Sequence, residues 1–336
     1  MSHSVQSAPQ RVTWYLIPLL VSLWFLDGGA SGDGRGGWER HSVYNSQRRW
    51  ANRPHAKVAI MGSSTSKDWL PERELARLVG VRAGQVLDAH INGCHQGCTW
   101  AQVRALRAQG RRFKYIFFGT NLFQLCEDIH SKRVLQQQMM LPRADIPELF
   151  GLYARAEQPL QYMSRFIGMQ ASDAYGDTRV IQSSLARSLF GRGRRGHEWR
   201  WVSARRPARA RKVNVCTYEP ERVAYKRAVS QALYRDLSAM AEHVFIMLLP
   251  DPSVGQAEHR AKWDDHYELQ RSLIKAHSNV HLVDLVDEGA RSWSSFRDSI
   301  HLHRRAMPAQ LKLFKRRVRE LGVLKPIDEA QGASKR

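Results

Sequence analysis

The sequence predicts an α/β fold, a doubly wound parallel sheet with a largely helical insertion. Five short apolar runs recur, at 58–61, 85–89, 113–118, 244–249 and 280–285. Each is too short for a helix and is bounded by polar or turn residues, the pattern of strands buried on both faces. Helical stretches separate the runs, and strands alternating with helices build parallel βαβ units. The first three runs also open into loops of small polar residues, beginning with Gly62-Ser63-Ser64 and closing with Gly119-Thr120-Asn121.

Taken in order, the chain begins with an almost charge-free segment, 12–26, that follows Arg11 and gives way to Asp27-Gly28-Gly29-Ala30. A spanning helix wants about 20 apolar residues and a signal-peptide core roughly 7–15. Residues 1–30 therefore read as a signal peptide or a signal anchor. Gly28 to Ala30 suit cleavage, whereas Asp27 beside them suits retention. Residues 31–54, rich in Gly, Arg, Ser and Asn, read as a linker. The folded domain is expected over 55–322, with an insertion or cap at about 122–243 where strand and helix alternation lapses, and 323–336 as a loose tail.

Within the domain, Gly62 permits a tight turn after the first strand, and the serines from Ser63 to Ser66 suit the cap of a helix that continues through Asp68 and Trp69. Pro71 opens a helix over 71–79. The second strand runs into His90-Ile91-Asn92-Gly93-Cys94-His95-Gln96-Gly97-Cys98-Thr99, a loop ahead of a helix over about 100–109. Further helices are expected near 147–162 and 180–190, over 220–241 and over 256–277. A closing helix over 305–321 has Leu311, Phe314 and Val318 on one face.

Length and composition narrow the class. With 336 residues, 43% hydrophobic and 25% charged, the chain is globular rather than disordered. Fifty-two Lys and Arg against 31 Asp and Glu leave +21, which favours anionic surroundings. Much of that charge lies in a basic tract with two tryptophans, containing Arg194, Arg195, Trp199, Arg200, Trp201, Arg205 and Arg206. Such a tract suits an anionic lipid or glycan surface. It would also suit phosphates and bases, but the export-like N-terminus places an envelope surface ahead of nucleic acid. Its plainer reading is a solvated loop. The four cysteines, Cys94, Cys98, Cys126 and Cys216, read as free buried thiols, with pairing open to them in an exported domain. Cys94 and Cys98 flank His95, but no second pair at zinc-ligand spacing follows, so no metal is expected.

The chemistry-bearing residues gather at the predicted strand ends, where open α/β sheets bind ligands. A serine hydroxyl needs a base to act as a nucleophile at neutral pH. Asp298 and His301, three apart before the closing helix, suit that need, the carboxylate fixing the imidazole tautomer while the other nitrogen faces Ser64. A backbone N–H at a loop glycine and the Asn121 amide are candidate oxyanion donors. Plainer readings exist for each: an N-cap for the serine, a turn closure for Asn121, and a structural hydrogen bond for Asp298 with His301.

Four blocks in order resemble the SGNH (GDSL-type) hydrolases: Gly62-Ser63-Ser64, the loop from Asn92 to Thr99, Gly119-Thr120-Asn121, and Asp298-Ser299-Ile300-His301-Leu302. The resemblance covers about 55–125 and 243–322 and implies a five-stranded sheet in flavodoxin-like order. Carried over, it makes Ser64 the nucleophile, His301 the base and Asp298 its orienter. It makes Ser64, Gly97 and Asn121 the oxyanion hole, with Gly93 competing for the glycine role. No cofactor is implied. Ser63 stands where the family usually has Asp, as it also does in exported, membrane-tethered relatives that acylate or deacylate envelope polymers, and Leu122 stands where Asp is common. The expected activity is a serine-dependent esterase or O-acyltransferase acting on an acylated glycan, envelope polymer or lipid outside the cytoplasm. The alternatives are a catalytically silent binding protein of the same fold and a basic nucleic-acid-binding protein.

Overall fold

The computed structural model describes residues 42–122, 140–155, 220–289, 292–298 and 300–324, together with 138, 160, 162–164, 166 and 167. The expected signal segment, the helix near 180–190 and the basic tract lie outside the described residues. So do Cys126 and Cys216. The chain divides into two compact units, Met1–His41 with Leu160–Ala204, and Ser42–Pro159 with Arg205–Arg336. The second holds the whole sheet. No helix among the described residues is long and apolar enough to cross a membrane.

The elements of the second unit follow in chain order as α1 (Ser42–Ala51), β1 (Val58–Gly62), α2 (Ser64–Trp69), α3 (Glu72–Val79), β2 (Val86–Asp88), α4 (Gln96–Ala108), β3 (Phe113–Thr120), α5 (Ile146–Tyr153), α6 (Pro220–Met240), β4 (Ala241–Leu248), α7 (Arg260–Ile274), β5 (Val280–Asp284) and α8 (Met307–Glu320). The five strands form one sheet in the order β2-β1-β3-β4-β5, every pair parallel. That order is compatible with flavodoxin-like doubly wound sheets, whose binding crevice opens where the winding reverses, between β1 and β3.

Alternating strand residues supply two cores. On one face, Ile60, Tyr115, Phe117, Phe245 and Met247 pack with Trp69, Leu75 and Val79 and with Phe314 and Val318 of α8. Phe117 stacks on Phe245 at 4.7 Å and meets Phe314 edge-on at 5.8 Å. On the other face Phe118 meets Tyr234 of α6 edge-on at 6.4 Å. Beyond it, Leu122, Leu248, Val254, Trp263 and Val286 make a smaller cluster under α7. Val323 and Leu324, assigned from sequence to the loose tail, pack against the first core.

Two segments differ from the sequence expectation. The stretch read as a linker contains α1, whose Trp50 and Ser46 are buried. Polar bonds just past the end of β2 add to the buried Trp50 in holding it there. The Ser46 hydroxyl donates to the carbonyl of His90 at 3.0 Å, and the Arg49 guanidinium donates to the same oxygen at 2.7 Å. The second difference lies beside the predicted site. The helix after β2 begins at Gln96 rather than near 100, so Gly97 belongs to its first turn and not to a loop.

Candidate functional site

β1 is wholly buried and ends at Gly62, whose φ of 115° suits glycine. A Cβ on Gly62 would run into the Ser66 hydroxyl and lie 2.7 Å from the carbonyl of Gly119, its register partner on β3. A Cβ on Gly119 would meet Ser66 as well. The two glycines therefore let α2 start hard against the ends of β1 and β3, with Ser66 buried between them and donating to Gly119 O at 3.4 Å. Ser63 is the N-cap of α2. Its hydroxyl accepts from the N–H of Thr65 at 3.4 Å and lies 2.7 Å from Thr65 Oγ1. With Ser63 capping, Ser64 is the first residue of the helix and its hydroxyl stays out of the cap.

The loop before α8 brings the base. Phe296 and Leu302 pair as an antiparallel bridge, and Arg297 N–H donates to His301 O at 2.9 Å, closing a tight turn. Inside it, Asp298 Oδ1 accepts from the N–H groups of Ile300 at 3.0 Å and His301 at 2.8 Å. Both Asp298 oxygens lie 2.9 Å from His301 Nδ1, and His301 Nε2 lies 2.7 Å from Ser64 Oγ. Burial by itself would raise the Asp298 carboxyl. The hydrogen bonds from the His301 ring and from the Ile300 and His301 amides outweigh it and hold the group at about 2. An ionised carboxylate only accepts, so Nδ1 carries the proton and Nε2 faces the serine hydroxyl as acceptor. Ser64, His301 and Asp298, 237 residues apart at the extremes, thus form one continuous hydrogen-bonded series.

The three expected oxyanion donors follow three neighbouring strands along the chain. Ser64 begins the helix after β1, Gly97 is the second residue of the helix after β2, and Asn121 follows β3 directly and is buried. The first N–H groups of a helix have no partner within it, which leaves those of Ser64 and Gly97 available to a ligand. Gly93, the rival glycine, has a φ of 63° and serves the turn ahead of α4. Leu249 N–H donates to Thr120 O at 2.8 Å, which fixes the backbone just before Asn121.

Two neighbours of the site escaped the sequence reading. Asp68, one turn beyond Ser64 on α2, accepts from Arg297 at 3.3 Å. Burial raises the Asp68 carboxyl, opposed first by Arg297 and then by His301. The pair ties the serine helix to the histidine turn, and its signal was the i, i+4 spacing of Ser64 and Asp68 on one helix face. A groove of about 920 Å³ begins at Asp68 and Trp69 and runs along α8 over Met307 and Leu311, rimmed by Lys312 and Arg319. The other missed feature is a disulfide between Cys94 and Cys98, against the expectation of free thiols. Cys98 lies on the first turn of α4, which folds back toward Cys94 and brings the two Cα atoms to 5.4 Å. Arg194, Arg195, Trp199, Arg200, Trp201, Arg205 and Arg206 lie outside the described residues. No family model and no curated protein matches this chain.

Proposed function

We propose that the chain is a serine esterase or O-acyltransferase of the SGNH type, acting on acyl esters of a glycan, envelope polymer or lipid outside the cytoplasm. The observation that carries this reading is the hydrogen-bonded series from Ser64 Oγ through His301 to the ionised Asp298. In that series Ser64 attacks the acyl carbonyl while His301 Nε2 takes its proton, and Asp298 stabilises the imidazolium that forms. The oxyanion develops toward the N–H groups of Ser64 and Gly97 and the Asn121 amide. Each such donor is worth roughly 2.7–4 kcal/mol in enzymes where one has been removed. His301 then returns the proton to the leaving alkoxide, and water or an acceptor hydroxyl, deprotonated by the same nitrogen, releases the acyl group.

The departures from the SGNH blocks fit this chemistry. Ser63 performs the capping that an Asp would perform, since both side chains accept equally well at an N-cap. The strand order and the site at the β1/β3 crevice suit the flavodoxin-like sheet of that family. A disulfide supports an oxidising compartment, where such bonds persist. The basic tract and the charge of +21 support an anionic substrate or envelope surface as partner.

Turnover of a short-chain p-nitrophenyl ester tests the reading. The wild-type protein should hydrolyse it, and Ser64→Ala and His301→Ala should lose at least a thousandfold in kcat with folding intact. Equal turnover in wild type and Ser64→Ala would remove Ser64 as the nucleophile. A folded wild type that neither turns over the ester nor reacts with a phosphonate would favour the binding-protein alternative.

A further inference from the structure

The first turn of α4 is organised differently from that of α2. At α2 the N-cap is Ser63, and its side chain accepts from the N–H of the second helical residue, Thr65. At α4 the N-cap is His95, which makes no side-chain capping bond. The second helical residue of α4 is Gly97. A Ser, Thr, Asp or Asn cap would accept from the N–H of the second or third helical residue, and so would compete for the Gly97 N–H or its neighbour. Here the first intrahelical bond, from Thr99 N–H to His95 O at 2.9 Å, leaves the earlier donors of the turn without helical acceptors.

The turn is held by other means. Cys94, just before the cap, is bonded to Cys98, the third helical residue, and both are buried. The link spans His95, Gln96 and Gly97. Behind it, Cys94 N–H donates to Ile91 O at 3.0 Å, and Ile91 N–H donates to Gly62 O at 3.0 Å, two residues before Ser64. One covalent bond thus fixes Gly97 to a segment that is itself registered on the end of β1.

We infer that Cys94 and Cys98 are positioning residues for the oxyanion hole: their disulfide takes the place of a capping side chain and holds the first turn of α4 with the Gly97 N–H left for the substrate oxygen. The inference rests on the proposed esterase or acyltransferase chemistry. It makes turnover depend on the oxidised state of this pair, independently of the triad.

The test uses the full chain carrying Cys126→Ala and Cys216→Ala, so that the pair studied holds the remaining cysteines. Oxidised protein is compared with protein reduced by a phosphine, which leaves as its oxide while the pair gains two electrons and two protons. Cys94→Ala/Cys98→Ala in the same background serves as a second comparison. Amide hydrogen exchange over residues 95–98 should accelerate at least tenfold on reduction and in the double variant, with exchange in β1 and β3 unchanged. The kcat for the p-nitrophenyl ester should fall roughly tenfold to a hundredfold with KM within twofold, short of the 10²–10³ lost when a donor is removed outright. Reoxidation should restore it. Exchange and kcat that ignore the state of the pair would overturn the inference while leaving Ser64 as nucleophile. If the oxidised protein neither turns over ester nor forms a Ser64 adduct, the functional reading fails instead, and the exchange comparison alone decides whether the disulfide holds the turn.

Discussion

Ser63 and Ser64 are chemically identical neighbours with different tasks, and the helix boundary between them makes the difference. Ser63 is the cap of α2 and is buried; Ser64 opens the helix and lies 2.7 Å from His301 Nε2. Ser63→Ala should cost about 1 kcal/mol of stability through loss of the cap. Ser63→Asp should be close to neutral in both stability and turnover, measured by urea unfolding and by ester hydrolysis. Activity lost in Ser63→Asp with the fold retained would contradict a purely capping role. For the histidine, the carboxylate beside it sets the tautomer. Asp298→Asn should therefore lower kcat by roughly 10³–10⁴-fold, as loss of the orienting carboxylate does in serine triads. The same carboxylate titrates at about 2 in the fold, below its ordinary value of 3.8. A lowered acid contributes stability above its unfolded pKa, so this contribution disappears as pH falls from about 4 toward 2.

At the scale of elements, the strands were legible because each is a short apolar run ending in a turn signal. The run at 58–61 became β1 with Gly62 as its last residue, and 113–118 became β3 with Gly119 and Thr120 added. The start of α4 was not legible. Gln96, Gly97 and Thr99 carry no helical apolar stripe, and a cross-link between Cys94 and Cys98 has no local sequence signal of its own. α1 was missed for a related reason, since Ser46 and Arg49, donating to a backbone carbonyl, anchor it alongside the buried Trp50. Of the site, Ser64, Asp298 and His301 were readable from spacing and chemistry, and Asp68 from its i, i+4 spacing with Ser64, whereas its pairing with Arg297, 229 residues away, needed the fold. Buried charge ties the helices on the far face together. The Asp236 carboxylate of α6, almost wholly enclosed, accepts from Trp100 Nε1 at 2.9 Å and pairs with Arg104 at 2.6 Å and Arg107 at 3.2 Å. Removing one partner of such a buried set is costly, so Asp236→Ala should destabilise by about 3–5 kcal/mol in urea. A loss below 1 kcal/mol would mean that the network is not load-sharing between α4 and α6.

For the whole molecule, burial and charge give opposite pH signatures that can be separated. Asp251, just past β4, is buried, and desolvation pushes its carboxyl up to about 6, with Ser253 drawing it partly back. A raised acid favours the protonated fold, so stability falls as pH rises from about 4 through 6, by roughly 3 kcal/mol at most. Asp251→Asn keeps an acceptor for the Ser253 N–H and should flatten that part of the stability profile. An unchanged slope would assign it to other groups. The net charge of +21 acts at longer range, and binding to vesicles with anionic headgroups should weaken steeply as salt shortens the Debye length below about 8 Å. These properties concern stability and partners. The chemistry stands on whether one hydroxyl is activated, and covalent labelling reads that directly. A fluorophosphonate incubated with the wild-type chain, followed by peptide mass spectrometry, should place a single adduct on Ser64. The adduct should be absent from Ser64→Ala and form at least a hundredfold more slowly in His301→Ala. Folded wild-type protein with no adduct on Ser64, or with labelling that ignores His301, would contradict the nucleophile and base assigned to this chain.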